Sequence, residues 1–158
     1  MTDFNVQPWV DHSPLTIGPK ESLRRARALL SAAKVEELLV MDDGKLVGML
    51  NEHDMWRHCP TSVLVLEEKQ AEELLDQIRV GGVMILHPPI VTPGTSLREA
   101  IQLFALSGRH ALPVIENGVL TGLLTEERAL QAVAAALSEV EQYSANGPTL
   151  KLPANEGA

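Results

Sequence analysis

Apolar residues recur along this chain with two periods. Leu23, Ala26, Leu30 and Ala33 fall at helical spacing, as do Leu97, Ala100, Ile101 and Phe104. Each set follows a serine, Ser22 or Ser96, placed to cap a helix N-terminus. Short apolar runs, Leu38 to Met41 and Lys45 to Leu50, flank Asp42-Asp43-Gly44, and two similar runs flank Glu116-Asn117-Gly118. Asp-Gly and Asn-Gly between such runs predict tight hairpins, because these residues accept the positive φ that the reversal requires. An acidic residue after each hairpin opens another helix. In the second of these, Leu130, Val133, Ala134, Leu137 and Val140 make one stripe that ends at Asn146-Gly147-Pro148. Short extended pieces, Leu15 to Ile17 and Ile90 to Thr92, precede the first helices, so the order β-α-β-β-α occurs twice.

The chain is a tandem duplication. Shifted by 74 residues, Pro14 to Met55 aligns without a gap on Pro88 to Ala129, and 14 of the 42 pairs are identical. Ser22-Leu23-Arg24 meets Ser96-Leu97-Arg98, and Gly44, Gly48 and Leu50 meet Gly118, Gly122 and Leu124. Two units this small, each unable to bury its own sheet, are predicted to pack as an α/β pair about a pseudo-twofold axis. The first repeat spans 6–62, an amphipathic connection 63–79, the second repeat 80–143 and a flexible tail 144–158.

Charge then narrows the function. Thirteen Lys and Arg against twenty-one Asp and Glu give a net charge of −8, a field that repels phosphate backbones and argues against nucleic acid as partner. The single cysteine, Cys59, makes no internal disulfide, and the N-terminus lacks the basic start and apolar run of a signal peptide; these predict a cytoplasmic protein. Charged or turn residues interrupt every apolar stretch short of a membrane span.

Val83-Met84 leading through Pro88-Pro89-Ile90-Val91-Thr92-Pro93 to Ser96-Leu97-Arg98-Glu99-Ala100 is one distinctive segment, and Leu112-Pro113-Val114 another. With the hairpins that close on Gly48-Met49-Leu50-Asn51-Glu52-His53-Asp54 and Gly122-Leu123-Leu124-Thr125-Glu126-Glu127-Arg128, they resemble CBS motifs, and the whole resembles a stand-alone CBS pair, or Bateman module. The resemblance implies tandem CBS repeats without chemistry of their own. Such a regulatory module takes an adenosine-containing ligand, AMP, ADP, ATP or S-adenosylmethionine, in the cleft between repeats and signals to a partner protein. It requires no cofactor. It also implies a homodimer, formed through a helical face that here includes Leu130, Val133, Leu137 and Trp56.

In the family's pattern a Ser or Thr, followed three positions later by an Asp, opens the last helix of each repeat, and the Asp accepts from both ribose hydroxyls. The first repeat keeps the acid as Asp54 but has Asn51 for the hydroxyl; the second keeps Thr125 but has Arg128 for the acid. Arginine accepts no hydrogen bond, so one competent cleft is expected at Asp54, and an altered one at Ile90, Thr125 and Arg128. Arg109 and His110, just before the Leu-Pro-Val strand, are expected to face ligand phosphates, whereas Val35-Glu36-Glu37 at the equivalent place would repel them. Thr16, Ile17 and Met49 are the expected base-contacting wall.

His53, His58 and Cys59 raise the possibility of a metal site, but the two histidines are five apart and lie on different helix faces, so none is expected. The chain also lacks a phosphate loop, nucleophile elbow and zinc-type Cys pairing, and no enzyme is expected. The alternative to a sensor is a CBS pair that serves only as a dimerisation or scaffolding module, motivated by Asn51 and Arg128.

Overall fold

The computed structural model describes residues 4–59 and 65–147. The first repeat comprises β1 (Thr16–Ile17), α1 (Leu23–Ala33), β2 (Glu37–Asp42), β3 (Lys45–Asn51) and α2 (Glu52–His58). Helix α3 (Glu68–Gln77) follows in the connection; the second repeat has α4 (Leu97–Ser107), β4 (Ala111–Glu116), β5 (Val119–Thr125) and α5 (Glu126–Asn146). Its counterpart of β1 is reduced to one parallel bridge between Val91 and Val114. The fold is the predicted α/β pair of β-α-β-β-α units.

Local chemistry sets these elements. Ser22 Oγ accepts from the Arg25 N–H and Ser96 Oγ from the Glu99 N–H, satisfying donors that the first turns of α1 and α4 leave free. Asp43-Gly44 and Asn117-Gly118 all have positive φ, as a two-residue hairpin turn requires. Both hairpins shift register at the same place, after Val40 and after Val114. Leu23, Ala26 and Leu30 are buried in α1, but Ala33 is exposed, because the helix is ending there: Lys34 adopts the left-handed conformation. Helix α3 buries only Leu75 and lies along α1, with the exposed pair Arg24–Glu72 at 3.1 Å.

The packing units cross the sequence repeats. Val6 and Val10, at the start of the first repeat, pack with Val91, Phe104, Leu112 and Leu124 of the second. Val80 and Val83, at the start of the second, pack with Leu23, Leu38, Leu50 and Met55 of the first. Each lead-in segment also adds a two-bond antiparallel edge to the other repeat's hairpin, Asp11 with Leu123 and Ile85 with Met49. Gly48 and Gly122 make that approach possible: a Cβ there would stand 2.6 Å from the Ile85 carbonyl oxygen and 2.6 Å from that of Asp11. Leu39, Met49, Ala111 and Leu123 close the space between the sheets.

Residues 144–146, predicted as tail, form the last turn of α5, and the Gly147 N–H bonds back to the Tyr143 carbonyl. The rest of that tail, and 60–64 of the connection, lie outside the described residues. Among the described residues no helix is long and apolar enough to cross a membrane.

Candidate functional site

The β2–β3 register sets Glu37 directly opposite Asn51, so these side chains lie together at the start of α2. Asn51 caps that helix: its Oδ1 accepts from the Asp54 N–H at 2.8 Å, while Asp54 Oδ2 accepts from the Asn51 N–H at 3.0 Å. Its amide also donates to Glu37 Oε1 at 3.3 Å. Into this acidic corner of the first repeat comes Arg109 of the second. Its Nη1 donates to Asp54 Oδ1 at 3.2 Å and Oδ2 at 3.0 Å, and its Nη2 donates to Asp54 Oδ2 at 3.0 Å and Glu37 Oε2 at 2.6 Å. The His110 backbone N–H completes the shell of Glu37 at 3.1 Å.

All four side chains are buried, with exposures of 2% for Asp54, 3% for Glu37, 7% for Asn51 and 8% for Arg109. Two carboxylates therefore share one guanidinium away from water. Burial pushes the Glu37 carboxyl above its ordinary value, against the pull of Arg109 and the bonds from His110 and Asn51. Arg109 Nε is buried without a hydrogen-bond partner. His110 itself is held on the outside by Glu126 at 3.1 Å and Glu36 at 3.5 Å; the bond to Glu126 raises its pKa above the ordinary histidine value.

Of the residues singled out in the sequence, Asn51, Asp54 and Arg109 come together, with His110 beside them. The charge of Arg109 is engaged by Asp54 and Glu37 rather than turned toward an open cleft. Met49 is fully enclosed between the sheets, Ile17 is in the first repeat's core, and Thr16 is exposed on β1. Ile90, half exposed, lines a hollow beside His87, Pro88 and Leu120. Arg128 is exposed, and its N–H donates to Thr125 Oγ1 as the α5 cap. His53 and His58 do not converge: His53 lines a pocket, and His58 Nδ1 bonds to the Asp54 carbonyl. Glu37 is the partner the sequence reading missed. Its signal was an acid, the second of Glu36-Glu37, opening the buried run Leu38-Leu39-Val40.

Two cavities flank this seam. One, about 410 Å³, is lined by Asn51, Glu52, His53, Arg27, Glu36 and His110. The other, about 660 Å³, takes walls from both repeats: Pro14, Leu15, Val35 and Glu37 from the first, Ala111, Leu123, Thr125 and Glu126 from the second. Both lie in the range of small-molecule sites.

The CBS domain family matches residues 6–55 and 80–135. Inosine-5'-monophosphate dehydrogenase of Staphylococcus epidermidis is 29% identical over 117 residues, which cover 72% of this chain but 21% of the dehydrogenase. This chain thus spans only a small part of that relative's length. The CBS-pair protein CBSX2 of Arabidopsis thaliana superposes with a TM-score of 0.74 at 25% identity, covering 87% of this chain and 99% of CBSX2. CBSX2 in complex with AMP gives 0.67 at 25% identity, over 84% and 97% of the chains. The crossed lead-in segments, the paired hairpins and both matched repeats make one assignment: the chain belongs to the CBS domain family, as a tandem CBS pair.

Proposed function

We propose that this regulatory module is a sensor: an adenosine-containing molecule, AMP, ADP, ATP or S-adenosylmethionine, enters the seam between the repeats, and a separate partner protein responds to the resulting shift. The cavity of about 660 Å³ carries this reading, because its walls belong to both repeats. A ligand there favours whichever relative placement of the repeats fits it best, which is how binding becomes a signal. The AMP complex of CBSX2 supports the ligand class. Charge supports its less anionic members, since Asp11, Glu36, Glu37, Glu126 and Glu127 outnumber Lys34 and His110 along that cavity and Arg109 is already neutralised.

The sensor works as a homodimer in this reading. Leu130, Leu137 and Val140 are more than half exposed along α5, beside an apolar groove lined by Phe4, Leu97 and Ile101. A second copy of this chain fits that face on charge as well: α1 carries Arg24, Arg25 and Arg27 without an acid, while α5 carries Glu126, Glu127, Glu139 and Glu141 against Arg128 alone. Sedimentation of the full chain at micromolar concentration reads this directly, and a monomer removes it.

Thermal unfolding, followed by Trp9 and Trp56 fluorescence against each of the four ligands, tests the sensor. A ligand at 100 times its Kd adds about 2.7 kcal/mol of stability. No rise with any of them at millimolar concentration leaves the second reading, a dimerisation or scaffolding module. What favours that reading is the Arg109 cluster, which joins the repeats with protein groups alone.

A further inference from the structure

We propose that Arg109 is a built-in occupant of the Asp54 site: its guanidinium holds the place of a ribose, and a ligand binds at Asp54 only by displacing it from that carboxylate. The inference rests on the adenosyl-sensing reading above. A guanidinium edge and a vicinal diol offer a carboxylate the same thing, two donors spaced to meet two oxygens. Here both oxygens of Asp54 are taken. Oδ1 accepts from Arg109 Nη1, and Oδ2 accepts from Nη1, Nη2 and the Asn51 N–H. At 2% exposure, Asp54 has no place for a third party until Arg109 leaves.

The pseudo-twofold symmetry supplies an internal control. The 74-residue shift carries Arg109 onto Val35, Asp54 onto Arg128 and Glu37 onto Ala111, so the symmetry-related positions hold none of the three groups. Those positions are open: Val35 and Ala111 line the cavity of about 660 Å³, which Glu37 also borders. With the same backbone plan on both sides, side chains account for the closure.

The bridge is also built to let go. Arg109 Nε is buried without a partner, so release returns one unmet donor to water. Glu37 offers a second carboxylate, 2.6 Å from Nη2, which the guanidinium keeps while releasing Asp54. Next to the cluster lies the smaller cavity, lined by Asn51 and His110, which flank the bridge.

Adenosine is the probe, because it is uncharged and loss of the Arg109 charge cannot weaken a phosphate contact. Calorimetry compares the full chain with Arg109→Gln, Arg109→Lys and the double variant Arg109→Gln/Asp54→Asn, each checked for folding by Trp fluorescence. The expected result is that Arg109→Gln binds adenosine at least tenfold more tightly than the unmodified chain, Arg109→Lys shifts the same way by less, and the double variant loses the gain. Should Arg109→Gln fail to fold, Arg109→Lys, which keeps the charge but not the fork, carries the comparison. Unchanged affinity in the folded Arg109 variants overturns the occupant while leaving the sensor standing, as does a gain that survives Asp54→Asn. Absence of binding in every folded variant at millimolar adenosine overturns the occupant and adenosyl sensing at Asp54 together.

Discussion

Arg109 and Asp54, 55 residues apart and in different repeats, share three hydrogen bonds of 3.0 to 3.2 Å. Such a pair costs most when halved, because the surviving charge stays buried. Arg109→Met strands two carboxylates and is expected to lower stability by about 3 to 5 kcal/mol in urea unfolding. Adding Asp54→Asn in that background should recover part of the loss, a non-additivity that a surface pair cannot show. Arg24–Glu72, with side chains 55% and 39% exposed, is the comparison: Arg24→Ala should cost less than about 1 kcal/mol.

The crossed lead-in segments predict a matched pair of weak points. A methyl group at Gly48 or Gly122 collides with the backbone of Ile85 or Asp11, neither of which can turn aside like a side chain end. Gly48→Ala and Gly122→Ala are each expected to cost about 1 to 3 kcal/mol, the usual range for overpacking. Gly82→Ala, where a Cβ meets nothing within 4 Å, should be nearly neutral. Equal losses at Gly48 and Gly82 in chemical denaturation would show that the lead-in does not lie against β3.

These two relationships also mark where the sequence is legible. Hairpins and helix starts were readable because their causes are local: the backbone needs of Asp43-Gly44 and Asn117-Gly118, and the cap that Ser22 or Ser96 gives three residues ahead. Val6 and Val80 are buried, and no periodicity in the sequence tells that each packs in the other repeat, since hydrophobic burial is non-directional. The site divides the same way. Asp54 and Arg109 each stood out by position, yet their pairing depends on how two repeats dock. Glu37, read as a repulsive neighbour of phosphate, is instead the second carboxylate that holds Arg109.

Two groups make stability fall as pH rises. His110 has a raised pKa in the folded protein, chiefly from its bond to Glu126, so its contribution is fully present below pH 6.5 and is lost as pH climbs through the raised value. Glu37, raised by burial, binds its proton more tightly when folded, so stability declines as pH rises from 4.5 through its native value. The windows begin at different pH, 4.5 for Glu37 and 6.5 for His110. His110→Gln should flatten the upper part of the stability profile and Glu37→Gln the lower part, read as unfolding midpoints from pH 4 to 8.5. A profile with the same upper slope in His110→Gln would place that titration elsewhere.

The open seam invites the complementary experiment. At the third position of α2, Asp54 returns a bond to the Asn51 N–H; at the matching position of α5, Arg128 returns none to Thr125, although its own N–H is capped by Thr125 Oγ1. Arg128→Asp supplies the missing carboxylate at a helix N-terminus, where negative charge is favoured. A gain of about 0.3 to 1 kcal/mol in stability is expected without ligand. It also sets an acceptor pair one helical turn from Thr125, which lines a cavity where Val35 stands in the place equivalent to Arg109. Each charge-assisted hydrogen bond to a ribose is worth about 1.5 to 3 kcal/mol, so adenosine affinity should rise roughly 10- to 100-fold. Arg128→Asn separates the causes: it removes the cation without adding a carboxylate, and should reproduce little of the gain. If Arg128→Asp and Arg128→Asn tighten binding equally, the arginine was obstructing the seam. If neither does, position 128 makes no contact with adenosine in that cavity.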